Sequence, residues 1–293
     1  MAKFILSAFA DEAGTTLAEQ IDALKRNGIG YIEPRNINGK PILTLTDEEL
    51  VEIKAELDKN GIKVNSLGSP IGKYPISEPF EPHLKDFRRA IEICKLLDTD
   101  KMRMFSFFVE QEKLAEYRDE VMSRLTKMAQ IAKENGIKLC HENESDIYGQ
   151  NPEQMRDLMT NVPGLCGIFD PANYRMNGQD VIDGIDATLI NLAYLHIKDA
   201  IYTSQLIVPA GDGEGKIAEV LSIVDKATDA DVYLTLEPHL FLFDAYKGID
   251  KHELRGKYTF NNNSESFDFA ANALKNLLTE NGYGKDENGI WTR

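Results

Sequence analysis

The chain has 293 residues, of which 42% are hydrophobic, and its formal net charge at pH 7 is −15. This length allows one large α/β barrel or two smaller domains, and the acidic balance repels a phosphate backbone, so we expect no nucleic acid partner. No apolar run approaches the roughly 18 residues of a membrane span, and the apolar start is too short for a signal peptide, so we expect a cytoplasmic protein with no membrane partner.

Short apolar runs alternate with amphipathic helical patterns in the first half of the chain. Four strands are predicted there, at residues 4–7, 30–33, 62–67 and 101–107. The helices between them have apolar residues three or four positions apart, and several end at an Asn-Gly pair, which favours helix termination. Thr46 and Glu49 have the spacing of a capping box, which predicts that a helix begins just after Thr46.

The second half of the chain repeats this alternation. Four further strands are predicted, at residues 137–140, 165–169, 192–195 and 232–236. Asn151 and Pro152 open a helix with proline at its first position, and a last helix includes Ala270 and Leu274. Eight strand–helix units predict a closed (β/α)8 TIM barrel, an α/β fold that residues 1–293 form as a single domain. A doubly wound sheet is the weaker alternative, because no GxGxxG motif follows the first strand.

A long segment at about residues 238–266 interrupts the alternation before the last helix. It contains several aromatic residues and three consecutive asparagines. Because connections of this length are usually functional or mobile, we expect an insertion near the barrel mouth, and its aromatic content suits a lid. A surface insertion or an oligomer contact fits the pattern as well, so a homo-oligomer stays open.

The three cysteines are odd in number and widely spaced, and two of them, Cys140 and Cys166, lie in predicted strands. This pattern is typical of reduced core residues and differs from a disulfide framework. No CxxC spacing accompanies Cys140, which disfavours a thiolate metal site.

Four polar residues stand at or next to the C-terminal ends of the last four strands. They are Glu142, Asp170, His196 and Glu237. Alternation along 232–237 turns Val232 and Leu236 towards the helices and Glu237 into the barrel, and the same pattern turns Glu142 and His196 inwards. Inward-facing acids at a barrel mouth are costly unless they bind a cation or each other. Three carboxylates and one imidazole suit one divalent metal ion, Mn²⁺, Mg²⁺, Co²⁺ or Zn²⁺.

The order of these motifs resembles that of the xylose isomerase-like TIM barrel family of sugar phosphate isomerases and epimerases. The resemblance is carried by Cys-His-Glu-Asn at 140–143, Phe-Asp-Pro-Ala-Asn at 169–173, Leu-His-Ile-Lys-Asp at 195–199, Leu-Glu-Pro-His at 236–239 and a glycine-rich stretch at 209–217. Upstream, the stretches at 32–35, 68–73 and 103–106 match as well. The resemblance implies a metal held by Glu142, Asp170, His196 and Glu237, with Glu142 and Glu237 as the catalytic acid–base pair.

The implied activity is a divalent-metal-dependent sugar or sugar-phosphate isomerase or epimerase. A metal on a ketose carbonyl and its neighbouring hydroxyl stabilises the enediolate that forms when a carbon-bound proton leaves. Two carboxylates on opposite faces of the substrate could then invert a centre, and return of the proton to the adjacent carbon gives aldose–ketose isomerisation. The expected partner is a small sugar, sugar acid or sugar phosphate.

Several residues around the four ligands could contact the substrate. The candidates are Glu33, Arg35, Lys73, Arg103, Asn173 and Lys198. Lys198 could instead pair with Asp199 or Glu237, and the other cations could form salt bridges with Glu33. Asn143, His141 and His239 could support the ligands from behind.

Two positions depart from the pattern of the ketose epimerases. Asn173 stands where several of them carry a histidine, and Tyr202 stands where they carry an arginine that reaches the substrate. Because these departures concern the substrate, a keto-polyol dehydratase on the same scaffold and a non-catalytic sugar-binding barrel stay open as alternatives. An abasic-site endonuclease is disfavoured, because it needs a histidine-rich site and the chain has only 5 histidines and a charge of −15.

Overall fold

The computed structural model describes residues 1–241 and 258–293, and its centre is a barrel of eight parallel strands. The strands are β1 Lys3–Ala8, β2 Tyr31–Ile32, β3 Lys63–Val64, β4 Lys101–Met104, β5 Lys138–Glu142, β6 Leu165–Phe169, β7 Leu192–Ile197 and β8 Asp231–Leu236. The predicted closed (β/α)8 barrel is confirmed.

Two contacts between strands complete the barrel, and the hydrogen-bonded pairing is longer in one of them than in the other. β1 pairs with β8 over six residues, from Lys3 opposite Asp231 to Ala8 opposite Leu236. Between β3 and β4 the contact is a bridge in which the Leu67 amide donates to the Lys101 carbonyl at 2.9 Å and the Arg103 amide donates to Leu67 at 2.9 Å. Every strand therefore has two neighbours, and all eight carboxyl ends meet at one mouth.

Helices surround the barrel in the described part of the chain. They are α1 Leu17–Arg26, α2 Asp47–Lys59, α3 Phe80–Leu96, α4 Leu114–Glu134, α5 Pro152–Asn161, α6 Pro171–Met176, α7 Val181–Thr188, α8 Ile217–Ala227 and α9 Asn263–Glu280. The predicted capping box is present, because the Thr46 hydroxyl accepts from the Glu49 amide and the Glu49 carboxylate accepts from the Thr46 amide. Asn151 caps α5 as its sequence indicates.

The faces of the strands follow the predicted alternation. Leu234 and Leu236 are buried in the layer between strands and helices, whereas Thr235 faces the Asn65 amide across the barrel interior at 3.4 Å. At the end of the barrel opposite the mouth, Tyr194 packs inside with a small cluster that includes Cys140. The interior is therefore filled below the mouth.

Two regions differ from the sequence-based expectation. β2 and β3 are two residues long, shorter than the predicted 30–33 and 62–67, although the Asn65 amide still donates to the Ile32 carbonyl at 2.9 Å. A C-terminal hairpin, Gly284–Lys285 with Ile290–Thr292, adds antiparallel to the start of β1.

The predicted insertion at about 238–266 lies partly outside the described residues, because 242–257 are not described. Its last four residues belong to α9, which begins at Asn263 and is capped by the Asn262 side chain. The roles of the insertion as a lid or oligomer contact, and of residues 1–293 as one domain, stay predictions. Among the described helices, none has the length and apolar character needed to cross a membrane.

Candidate active site and metal centre

The four strand-end residues of the predicted metal site come together at the barrel mouth. Each offers one ligand atom, and these atoms lie within 4.8 Å of one another. Glu142 ends β5, Asp170 follows β6, His196 lies in β7 and Glu237 follows β8. All four side chains are buried, and none is more than 3% exposed. The parallel strands deliver them to one point because their carboxyl ends share one edge.

The donor set and spacing fit a divalent cation. Ligand atoms about 2.0–2.2 Å from a Zn²⁺-sized or Mg²⁺-sized ion lie up to about 4.4 Å apart, close to the observed spread. The position of the Asp170 carboxylate is fixed, because its Oδ1 caps α6 and accepts from the Asn173 amide at 2.9 Å. Its Oδ2 is buried without a hydrogen-bond partner in the described residues, although Lys198 Nζ lies 2.9 Å away outside hydrogen-bonding geometry.

The orientation of His196 is set by Glu33. His196 Nδ1 lies 3.0 Å from Glu142 Oε1 and 3.5 Å from Glu237 Oε2, so this nitrogen faces the candidate metal site. Nε2 lies 3.4 Å from Glu33 Oε2, and the other Glu33 oxygen accepts from the Tyr194 hydroxyl at 2.8 Å. A carboxylate behind a ligating histidine fixes its tautomer and ring position. Nδ1 is thereby directed at the site.

The charges at the site favour a cation at its centre. Burial raises the pKa of Asp170 to about 7, against the attraction of Lys198. Burial acts the same way on Glu142, but His196 and Arg103 outweigh it and lower its pKa to about 2. Burial would lower the pKa of His196, yet Glu142 and Glu33 raise it to about 10. The carboxylates therefore hold a proton on His196 where a metal ion can take its place.

Asn143 connects the ends of β5 and β6. Its side-chain oxygen accepts from the Asp170 amide and its side-chain nitrogen donates to the Asp170 carbonyl, both at 2.9 Å. Asn173 completes the connection, because its side-chain nitrogen donates to the Asn143 carbonyl at 2.8 Å and to Glu142 Oε1 at 3.3 Å. Two of the predicted ligands, Glu142 and Asp170, thus share one set of positioning contacts. The amide of Asn173, predicted to bind substrate, is directed at Glu142 and Asn143.

Arg35 ties the loop after β1 to the loop after β8. Its guanidinium makes a two-pronged contact with Asp11, at 3.0 Å for both bonds, and lies 3.0 Å from Glu237 Oε1 and 3.3 Å from Glu12. The group also stacks on Phe9, 4.4 Å from the ring centroid. Arg35 therefore orients the outer oxygen of Glu237 and is itself held in place.

Arg103 and Lys73 line the other side of the mouth. Arg103 lies 3.2 Å from Glu142 Oε2 and 3.9 Å from Glu237 Oε1, so it spans both predicted catalytic carboxylates. Lys73 lies 3.0 Å from Glu144 and is 30% exposed, and of the two it is the cation that reaches solvent. Neither Arg103 nor Lys73 forms the salt bridge with Glu33 that the sequence left open, because Glu33 is fully buried beneath His196.

Lys198 lies between two of the ligands. Its Nζ is 2.9 Å from Asp170 Oδ2 and 3.1 Å from Glu237 Oε2, and the side chain is 6% exposed. Of its two predicted pairings, the one with Glu237 is present. Asp199 has other partners: its carboxylate accepts from the amides of Ala200, Gly211, Gly213 and Gly215 at 2.7–3.1 Å. Asp199 thus folds the glycine-rich loop against the end of β7.

Sequence reasoning missed three acids at the mouth, Asp11, Glu12 and Glu144. Burial raises the pKa of Glu12 to about 8 against the pull of Arg35, and the His239 amide donates to Glu12 at 2.7 Å. Asp11 and Glu12 follow β1 closely, as the four ligands follow or end their strands. The position of Asp11 and Glu12 shortly after a strand end is the sequence signal that could have identified them as residues of the mouth. The assigned roles of all predicted site residues stay predictions.

A family model described as xylose isomerase-like TIM barrel matches residues 21–246 of the chain. The uncharacterized protein MJ1311 of Methanocaldococcus jannaschii is 22% identical over 204 residues. That match covers 66% of each protein, so the chain spans just under two thirds of this relative's length.

Three solved structures share the fold. IOLI protein with a bound zinc atom is 16% identical, with a TM-score of 0.73 over 94% of this chain and 98% of that one. The probable 3-DHS dehydratase AsbF of Bacillus anthracis is 13% identical, with a TM-score of 0.71 over 92% and 98%. D-psicose 3-epimerase of Clostridium cellulolyticum H10 is 15% identical, with a TM-score of 0.66 over 94% and 98%. At these identities the likeness establishes the fold alone.

Proposed function

The chain belongs to the xylose isomerase-like TIM barrel family, and from that premise we propose that it is a divalent-metal-dependent isomerase or epimerase of a small sugar. One observation carries the proposal. Three carboxylates and an imidazole from four successive strands lie within 4.8 Å of one another in a buried site. Such a group is costly without a cation, and its oxygen-rich donor set suits Mn²⁺ or Mg²⁺ as well as Zn²⁺ or Co²⁺.

In this proposal Glu142, Asp170, His196 and Glu237 hold the metal. When bound, the cation supplies a positive charge that stabilises negative charge on sugar oxygens as a carbon-bound proton leaves. Glu142 and Glu237 are the proton carriers, and the lowered pKa values of both carboxylates keep them ionised before the transfer. Arg103, which contacts both carboxylates, holds them in position during transfer.

The charge of the mouth favours an uncharged sugar over a sugar phosphate or sugar acid. The four cations proposed to bind substrate each pair with a carboxylate in the structure: Arg35, Lys73, Arg103 and Lys198. An anionic substrate would have to displace a carboxylate from one of these pairs. A neutral polyol can instead donate hydroxyl hydrogen bonds to the same carboxylates, at no electrostatic cost.

Solvent exchange tests the proposal. The Mn²⁺-loaded protein is incubated in D₂O with a panel of ketoses and aldoses, and deuterium at carbon is followed by NMR and mass. We expect incorporation that a chelator abolishes and that Glu237→Gln lowers by about 10² to 10⁴-fold. Glu48→Gln, at an exposed position of α2, is the matched control and should exchange as the wild type does. Phosphate esters of the same sugars should react more slowly.

Exchange that survives both chelation and Glu237→Gln would contradict the proposal. Circular dichroism checks that Glu237→Gln folds and calorimetry measures its metal binding, so that a failed fold, a lost metal ligand and a failed proton transfer can be told apart. A second candidate is a dehydratase on the same scaffold, supported by the likeness to the AsbF structure. It shares the first proton transfer but then expels a hydroxyl, so loss of water from the product mass distinguishes it.

A further inference from the structure

The end of the barrel opposite the mouth holds two cysteines side by side. Cys140 in β5 and Cys166 in β6 are direct partners in the parallel register. Both belong to the interior cluster with Ile168 and Tyr194, so their side chains share one face. All three cysteines of the chain are free thiols, and the third, Cys94, lies elsewhere in α3.

The spacing suits a bond between the two sulfurs. Neighbouring strands lie about 4.8 Å apart, within the range of about 4.4–6.8 Å that disulfides span between Cα atoms. The two thiols already interact directly across the strands.

The two thiols have unequal surroundings. Cys140 is fully buried, whereas Cys166 is partly exposed. The Cys140 thiol and the charges of Lys138 and Lys101 lower the pKa of Cys166 to about 7, despite burial. Two neighbouring thiols, of which one is accessible and the other is buried, are the arrangement of a reactive cysteine and a resolving partner.

The basic residues sit at an opening. Lys101 and Lys138 both pair with Asp100, at 3.0 Å each. An open depression at this end is lined in part by Lys101, Tyr233 and Cys94, and Tyr233 packs against the cluster that contains Cys140. Neither Cys140 nor Cys166 lines this depression, so the access of a small oxidant rests on the partial exposure of Cys166 itself.

We propose that Cys166 is a site of oxidation by hydroperoxides and that Cys140 resolves it as a disulfide between β5 and β6. The Cys166 thiolate attacks one oxygen of the hydroperoxide, the O–O bond breaks, and the other oxygen leaves as hydroxide or alkoxide. The Cys140 sulfur then attacks the sulfenic sulfur, the S–O bond breaks, and the hydroxide leaves with the Cys140 proton as water. Two thiols lose two electrons in total, and the hydroperoxide gains them.

Peptide mapping of the full chain under non-reducing conditions tests the proposal without any variant. After hydrogen peroxide, we expect a Cys140–Cys166 cross-linked peptide lacking two hydrogens, which dithiothreitol restores to separate thiols. Before oxidation, iodoacetamide should alkylate Cys166 about tenfold or more faster than Cys94, because the thiolate is the reacting form and burial raises the pKa of Cys94.

Two serine variants separate the roles. Cys140→Ser should accumulate a sulfenic acid at Cys166 that dimedone traps, whereas Cys166→Ser should leave Cys140 unmodified. Circular dichroism checks that both variants fold. The proposal is overturned if peroxide leaves the Cys140–Cys166 pair reduced in the wild type, or if Cys166 alkylates no faster than Cys94.

Discussion

His196 and Asp170 show how single residues at the mouth serve two purposes at once. Asp170 caps α6 with one oxygen and keeps the other for the site. His196 turns one nitrogen to the site and the other to Glu33. In both residues, a contact to one polar atom of the side chain fixes the direction in which the other polar atom points. The precision of the site therefore depends on residues outside the four predicted metal ligands.

Asn143→Ala should weaken metal binding while leaving the fold intact. The variant loses both hydrogen bonds to the Asp170 backbone, whereas the Asn143 carbonyl that accepts from Asn173 remains. Loss of such supporting contacts typically costs about 10 to 100-fold in metal affinity. Calorimetric titration with Mn²⁺ measures it, and Asn161→Ala in α5 is the matched control. An unchanged affinity in Asn143→Ala would remove its positioning role.

The convergence of the four ligands could be predicted from the sequence, but the Arg35 network could not. Strand alternation and barrel closure fix where a strand-end side chain points, and both are visible in short apolar runs. The contacts of Arg35 join residues after β1, β2 and β8. No local pattern distinguishes Asp11 as its partner from any solvated acid. The buried contacts of Glu33 could not be predicted either, because its partners Tyr194 and His196 are distant in sequence.

At the scale of elements, the loop between β7 and α8 is organised by one carboxylate. Asp199 receives four backbone amides, three from glycines. Gly211 has φ +94°, which glycine adopts without strain, and a Cβ on Gly213 would collide with the Asp199 carboxylate. The glycines are therefore required by the close approach of the loop to Asp199.

Asp199→Asn should destabilise this loop and the protein. The substitution replaces one carboxylate oxygen of Asp199 with an NH₂ group, which cannot accept hydrogen bonds from the backbone amides. Hydrogen bonds to a charged group contribute about 1.5–3 kcal/mol each. We expect the free energy of unfolding to fall by about 3 kcal/mol, measured with denaturant. Hydrogen exchange at Gly213 and Gly215 should also accelerate. Asp229→Asn, at an exposed position, should change neither quantity.

Long elements were predictable and short ones were not. α2 and α4 have many apolar positions at helical spacing, so their existence follows from periodicity. α6 has six residues, too few to show a period. The C-terminal hairpin has strands of two and three residues, and only pairing with β1 defines them.

At the scale of the whole molecule, the C-terminal hairpin docks on the strand that begins the barrel. Trp291, the one tryptophan of the chain, lies opposite Phe4 of β1 and is 6% exposed. Its fluorescence therefore reports whether the two ends of the chain are joined.

Trp291→Ala should lower the free energy of unfolding by about 3–5 kcal/mol, the usual cost of removing a large buried side chain. Circular dichroism in denaturant measures it, and Trp291→Phe should retain most of the stability. In the wild type, fluorescence and circular dichroism should give the same midpoint. An earlier fluorescence transition would mean that the hairpin undocks before the barrel unfolds.

The pairing of β1 with β8 also determines how long β1 lacks its partner strand during synthesis. β1 ends at Ala8, whereas its partner β8 ends at Leu236, 228 residues later. At about 5–20 residues per second, roughly 11 to 45 s separate the two strands as they leave the ribosome. During that interval β1 has an unpaired edge, to which a strand of another chain could add.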